Sequence, residues 1–186
     1  AINGRYSVGV IQTAAASSNV INFPTIADTS TGLAINSARP FQIQLGTQTY
    51  STNGGMVNGK NIPALSDSPT LSQLSNWING LNLNSGLPVT SSIVQTTNGN
   101  YSLVVSGTKT GLTNNVTVSN TGSDSYPSSA TVVSRDAIIN VNGLRVQRSS
   151  NVISDVYDNN PIVFTLGSSI VANDQETPQA NATITV

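Results

Sequence analysis

The feature that most restricts this chain is a hairpin written into residues 137–148. Ile139 and Val141 alternate with Ile138 and Asn140, and Asn142-Gly143 follows at once. A two-residue type I′ turn needs positive φ at both central positions, which Asn and Gly accept most readily. The return run carries Leu144, Val146 and Arg148 on one face and Arg145 and Gln147 on the other. Asn151 then stands where it can cap a single helical turn over residues 152–157. The polar turn Asp158-Asn159-Asn160-Pro161 ends that turn, and the apolar run at 162–166 reads as a buried strand. The expected order is hairpin, one helical turn, strand.

Short alternating runs recur along the rest of the chain. Residues 5–12 place Tyr6, Val8 and Val10 on one face of a strand and Ser7, Gly9 and Ile11 on the other. Residues 13–19 read as a small polar loop, 20–23 as a brief apolar stretch stopped by Pro24, and 25–37 as connection. Residues 41–45 alternate strictly, Gly46-Thr47 turns, and 48–52 form a second strand. Asn53-Gly54-Gly55 and Asn58-Gly59 punctuate a loop. One helix is expected over 71–79. Thr70 and Gln73 form a capping box, Leu71, Leu74, Ile78 and Leu81 share a face with Trp77 beside them, and Asn79-Gly80 is the expected stop. Strands follow at 89–95, 101–106 and 115–119, so residues 41–119 read β-β-α-β-β-β. Residues 120–129 form a linker by composition, 167–178 a loop holding Asp174 and Glu176, and 182–186 a closing strand. The class is mainly β with one short helix, a β-rich α+β arrangement of two small antiparallel-sheet domains.

Composition narrows the function. Only 8% of residues are charged, with 7 basic and 8 acidic side chains, against roughly 25% in an average domain. A phosphate-tracking surface needs clustered Lys and Arg, so nucleic acid is not an expected partner. There is no cysteine and no histidine. Thiol chemistry, disulfides, Ser-His-Asp and Cys-His catalysis and His-based zinc sites are therefore excluded. No run approaches the roughly 18 apolar residues of a spanning helix, so no membrane insertion is expected. The first residues show no signal peptide, and ends that fall inside strand-like sequence suggest a fragment of a longer protein.

The remaining candidates have ordinary readings. Asp155 with Asp158, and Asp174 with Glu176, are the only acid pairs suited to a carboxylate hydrolase. Asp155 equally serves a helical turn or partners Arg148, and Asp174 and Glu176 fall in a solvated loop. Asp155, Asp158 and Asn159 offer oxygen ligands for calcium but fit no EF-hand spacing, and they read as turn formers. Trp77 reads as core and not as a sugar-stacking platform. The sequons at Asn100, Asn115 and Asn181 are what chance supplies in a chain this rich in Asn, Ser and Thr. Arg145 and Arg148 point to opposite faces of their strand and form no basic patch. No catalytic, cofactor or metal residue is assigned, and no enzyme activity or cofactor is expected.

The stretch from Val141 to Leu166, with its Asn142-Gly143 turn, Ser149-Ser150-Asn151, Asp155 and Val163-Phe164-Thr165-Leu166, resembles the flagellar filament cap (FliD) family. So do the opening strand Gly4-Arg5-Tyr6-Ser7-Val8-Gly9-Val10 and the series Thr70-Leu71, Leu74, Ile78-Asn79, Val89, Ile93-Val94, Tyr101, Thr110-Gly111 and Val116-Thr117-Val118. Asn159-Asn160 departs from that pattern where Gly is usual, and Thr13 where Leu is usual. The resemblance implies a discontinuous domain from 1–37 and 130–186 with 38–129 inserted in it. It also implies a secreted, extracellular structural protein at the flagellum tip. Such a protein forms a homo-oligomeric ring through coiled-coil termini missing here, and its partner is flagellin, whose assembly it promotes and whose loss it prevents. Adhesion to host mucin or surface glycans is a further role the resemblance allows. Two rivals stand beside it: a glycan- or surface-binding adhesin domain presenting polar loops, and the variable outer domain of another filament or hook-junction protein.

Overall fold

Alternation and tight turns build the architecture almost alone. The structure, a computed structural model, describes residues 5–23, 28–96, 99–120, 128–157, 162–167 and 180–185. In chain order its elements are β1 (Arg5–Gln12), β2 (Ser18–Phe23), β3 (Phe41–Leu45), β4 (Gln48–Ser51), β5 (Gly55–Val57) and β6 (Lys60–Ile62). Then come α1 (Leu71–Ser85), β7 (Val89–Gln95), β8 (Tyr101–Gly107), β9 (Val116–Asn120) and β10 (Ser128–Val132). The last are β11 (Ala137–Val141), β12 (Leu144–Arg148), β13 (Val152–Ile153), β14 (Phe164–Thr165) and β15 (Ala180–Thr185). All strand pairings among the described residues are antiparallel. With a single α-helix among the described residues, this is the β-rich α+β class that the sequence implies.

The chain divides into two compact units, with breaks after residues 15, 109, 113 and 133. The middle unit holds a four-stranded sheet in the order β10-β2-β8-β7, a three-stranded sheet β4-β3-β9 and the ribbon β5-β6. The helix α1 packs on β7. Its core gathers Phe23, Leu33, Ile35, Phe41, Ile43, Leu71, Leu74, Trp77, Ile78, Leu81, Leu103 and Val105, among others. The Leu71, Leu74, Ile78, Leu81 stripe read from the sequence is the buried face of the helix.

Four local readings are corrected here. The helix does not stop at Asn79-Gly80 but runs to Ser85, where Gly86 takes the left-handed cap at φ 74°. The loop expected around residue 58 is the β5-β6 hairpin, with Val57 paired to Lys60. The brief apolar stretch at 20–23 is most of a strand whose partners are β8 and β10. The compact unit that holds this strand begins at residue 16. Residues 128–129, read as linker, already belong to β10.

The flanking unit is a four-stranded sheet in the order β12-β11-β1-β15, with the small ladder β13-β14. Asn142 (φ 50°) and Gly143 (φ 87°) make the expected left-handed turn, with Val141 paired to Leu144. Val8, Ala14, Ala137, Ile139, Val141, Ile153 and Phe164 form its core. Val10 packs against this cluster from the same face as Val8. A register shift between Val10 and Gln12 marks a bulge, and Ile11 at that point is buried as well. The helical turn expected at 152–157 is absent. Val152 and Ile153 are extended and pair with Thr165 and Phe164.

Candidate functional site

Among the described residues, the side chains that tie distant segments together are the ones to build from. Ala14 lies just beyond β1, and its backbone is met by a side chain 137 positions away. Its N–H donates to Oδ1 of Asn151 at 2.7 Å, and Nδ2 of Asn151 donates to its carbonyl at 3.0 Å. One planar amide thus stands in for a whole rung of a β ladder, which explains why Asn151 caps no helix. The Asn142 turn does the same work once more, as Oδ1 of Asn142 accepts from Ser7 N–H at 2.9 Å.

Around this seam, residues 110–113 enter the flanking unit. Gly111 N–H donates to the carbonyls of Ala15 and Arg135, at 3.4 and 3.2 Å. Its φ is +104°, and a Cβ there would lie 2.6 Å from Cβ of Ser149, so only glycine fits. Thr110 Oγ1 donates to Ser149 O at 2.6 Å. Asp136 then anchors both sides, accepting from Leu112 N–H at 2.7 Å and from Gln147 Nε2 at 2.8 Å.

Asp155, the candidate acid, is engaged by Arg148. The guanidinium Nε donates to both carboxylate oxygens, at 2.9 and 2.8 Å. That hydrogen bond, first among its causes, holds the Asp155 carboxyl below the usual carboxylate range. A carboxylate held ionised by a fixed partner is poorly set up to donate a proton. Of the two readings of Asp155, the Arg148 partnership is the one found. Asp158, Asn159, Asp174 and Glu176 lie outside the described residues, so neither the acid pairs nor the calcium cluster is brought together within them. No group of His, Cys, Asp and Glu suited to a metal occurs among the described residues. No described helix is long and apolar enough to cross a membrane.

Trp77 is buried in the core, where Nε1 donates to the carbonyl of Pro63 at 2.8 Å. Arg145 Nη1 donates to Gln147 Oε1 at 3.1 Å, while Arg148 faces Asp155, so the two arginines form no joint patch. The sequon at Asn100 has its hydroxyl residue, Ser102, buried and donating to Asn22 Oδ1. Asn115 immediately precedes β9, and Asn181 lies within β15.

Sequence reasoning missed a second amide of the Asn151 kind. In the middle unit, Ser91 N–H donates to Oδ1 of Asn79 at 2.7 Å, and Nδ2 of Asn79 donates to Ser91 O at 3.2 Å. Asn79 projects from α1 onto β7, an edge strand, and occupies both backbone groups of one residue there. An unpaired edge is a template for pairing with another chain, and this amide covers part of it. The only signal in the sequence is an Asn on the polar flank of an amphipathic helix, which helical periodicity alone cannot assign to a strand.

Among the described residues this arrangement offers fixed shape and a surface poor in charge. No protein-family model matches the chain, and no curated protein matches it. Its structure is similar to the D2-D3 domains of the flagellar cap protein FliD from Escherichia coli, at 26% identity and TM-score 0.71, spanning 100% of this chain and 89% of that one. The D2-D3 domains of the Serratia marcescens protein share the fold at 23% identity and TM-score 0.69, over 100% of this chain and 94% of that one. Against the Escherichia coli D1-D2-D3 structure, at 26% identity and TM-score 0.68, the chain spans 51% of the length.

Proposed function

We propose that the chain is an outer-domain fragment of a flagellar cap protein of the FliD type, serving as the D2-D3 portion of a structural cap at the distal end of a bacterial flagellar filament. The observation that carries this reading is the full-length likeness to FliD D2-D3, with both units included and the flanking unit assembled from segments on either side of the middle one. The role is extracellular and non-covalent: the cap promotes flagellin assembly and prevents monomer loss. In the whole protein the partners are further copies of itself in a ring, and flagellin. A surface poor in charge and rich in Ser, Thr and Asn suits contacts made by shape and hydrogen bonding.

Deletion of the parent gene tests this reading, with motility and flagellin in the culture medium as readouts. Non-motile cells that shed flagellin monomers are expected. Normal filaments with no shed flagellin would sink the cap assignment. Binding of this fragment to a glycan array would then favour the adhesin reading.

A further inference from the structure

Four Asn-Gly pairs lie among the described residues, at Asn53, Asn58, Asn79 and Asn142, and three of them are chemically restrained. At Asn142-Gly143 the amide Oδ1 accepts from Ser7 N–H, and Gly143 N–H donates to Asn140 Oδ1 at 2.8 Å. At Asn53-Gly54 the side-chain Nδ2 donates to Ser37 O at 3.0 Å, and Gly54 N–H donates to Ser51 O at 2.9 Å. At Asn79-Gly80 the amide grips Ser91 from both ends, and Gly80 lies inside α1, within its hydrogen-bonded ladder. Asn58-Gly59 differs from all three. Both residues are exposed, and among the described residues neither the Asn58 amide nor the Gly59 N–H has a hydrogen-bond partner.

The surroundings point the same way. Asn58 (φ 52°) and Gly59 (φ 73°) form the tip of β5-β6, a ribbon of two three-residue strands with no third strand hydrogen-bonded to it. A ribbon paired on one side only, with its tip exposed, opens there at less cost than a sheet interior. By contrast, the Asn142 turn joins β12 to β11, an interior strand of a four-stranded sheet.

We propose that Asn58-Gly59 is a site of spontaneous backbone modification, at which Asn58 converts to aspartate and isoaspartate. The Gly59 nitrogen gives its proton to hydroxide or a buffer base and attacks Cγ of Asn58. The new N–Cγ bond closes a five-membered imide, and the Cγ–Nδ2 bond breaks as Nδ2 takes a proton and leaves as ammonia. Water then adds to either imide carbonyl and reopens the ring, giving aspartate by one route and isoaspartate by the other. Nothing is oxidised or reduced.

The product alters its surroundings. It adds one negative charge to a chain of net charge −1, two positions before Lys60. Lys60 Nζ donates to the carbonyl of Ser85, at the last turn of α1, at 3.1 Å. A carboxylate at position 58 competes for that ammonium. Isoaspartate also lengthens the main chain at the turn, and so disturbs the Val57–Lys60 pairing.

The test is incubation of the folded 186-residue protein at mildly alkaline pH, with peptide mapping by mass spectrometry that separates aspartate from isoaspartate. Asn58 should convert at least about tenfold faster than Asn53, Asn79 and Asn142, the ratio that a difference of about 1.4 kcal/mol in opening produces. In concentrated urea the four rates should converge. Equal rates in the folded protein, or a faster rate at Asn53 or Asn142, would overturn the proposal. G59A should suppress conversion at Asn58 while leaving the other three rates unchanged. Should the strained turn of that variant unravel the ribbon, the rate ratio in the unaltered protein still decides.

Discussion

The middle and flanking units solve the same problem with different means. Among the described residues the middle unit's core contains 18 buried side chains, and the flanking unit's core contains seven. The middle unit therefore holds together as most small domains do, by apolar burial around one helix. Among the described residues the flanking unit shows less of that mass, and directional bonds join its distant segments. Asn151 meets Ala14 across 137 positions, Asn142 meets Ser7 across 135, and Gln12 Nε2 reaches the carbonyl of Asp136 across 124. A unit assembled from separated pieces of chain needs its register fixed. Hydrogen bonds, which tolerate little error in distance and angle, fix register better than apolar contact does.

The largest effect that tests this contrast is in the middle unit. W77A should cost about 3–5 kcal/mol, the range for truncating a large buried aromatic, and it also leaves the Pro63 carbonyl without its donor. Urea titration would read the loss, and amide exchange should rise throughout α1, β7 and β8. A cost below about 1 kcal/mol would show that the middle unit does not depend on its core in this way.

Second in size is Asn151. Changing it to Ala strands the N–H and C=O of Ala14, at a cost of about 1–3 kcal/mol for buried polar groups left unpaired. N79A removes the same two bonds from Ser91. It should cost less, because β7 is an edge strand and water can reach those groups. Equal losses for the two variants would erase the distinction between a sewn unit and a packed one.

The smallest effect concerns the Arg148–Asp155 pair. Its side chains are 40% and 62% exposed, and such surface pairs contribute little. Because the folded-state carboxyl of Asp155 titrates below its unfolded value, its contribution is present above the unfolded value. It is lost as pH falls through the lower, folded one. Stability of D155N should therefore match the unaltered protein in strong acid and fall slightly behind it near neutrality. A difference that instead grew in acid would contradict the pairing.

How much of this was legible in the sequence depends on whether a feature is local. The Asn142-Gly143 hairpin, the Thr70–Gln73 capping box and the alternating strands were readable because each is set by residues a few positions apart. In the capping box, Thr70 N–H donates to Gln73 Oε1 at 2.8 Å and Gln73 N–H donates to Thr70 Oγ1 at 3.2 Å, as the spacing requires. Two of the departures share one cause: a polar side chain that suits its neighbours in sequence serves a strand elsewhere. Asn151 looks like a helix cap and instead completes the Ala14 rung. Asn79 with Gly80 looks like a helix stop, but Leu81 is buried beyond it and the helix continues. The partners of residues 18–23 lie about 80 and 110 positions further along, out of reach of any window.

The pairing of β1 with β15 carries a mechanical consequence. Arg5 stands opposite Thr185, and Val10 opposite Ala180. Tension that separates Arg5 from Thr185 therefore loads a single rung at a time and peels the ladder open like a zip. The same tension applied along the strands would have to shear six paired positions at once. The β1-β15 ladder thus yields more readily to a pull that separates Arg5 from Thr185 than to one along its strands, and a thermal melt, which loads every rung equally, would leave that difference unseen.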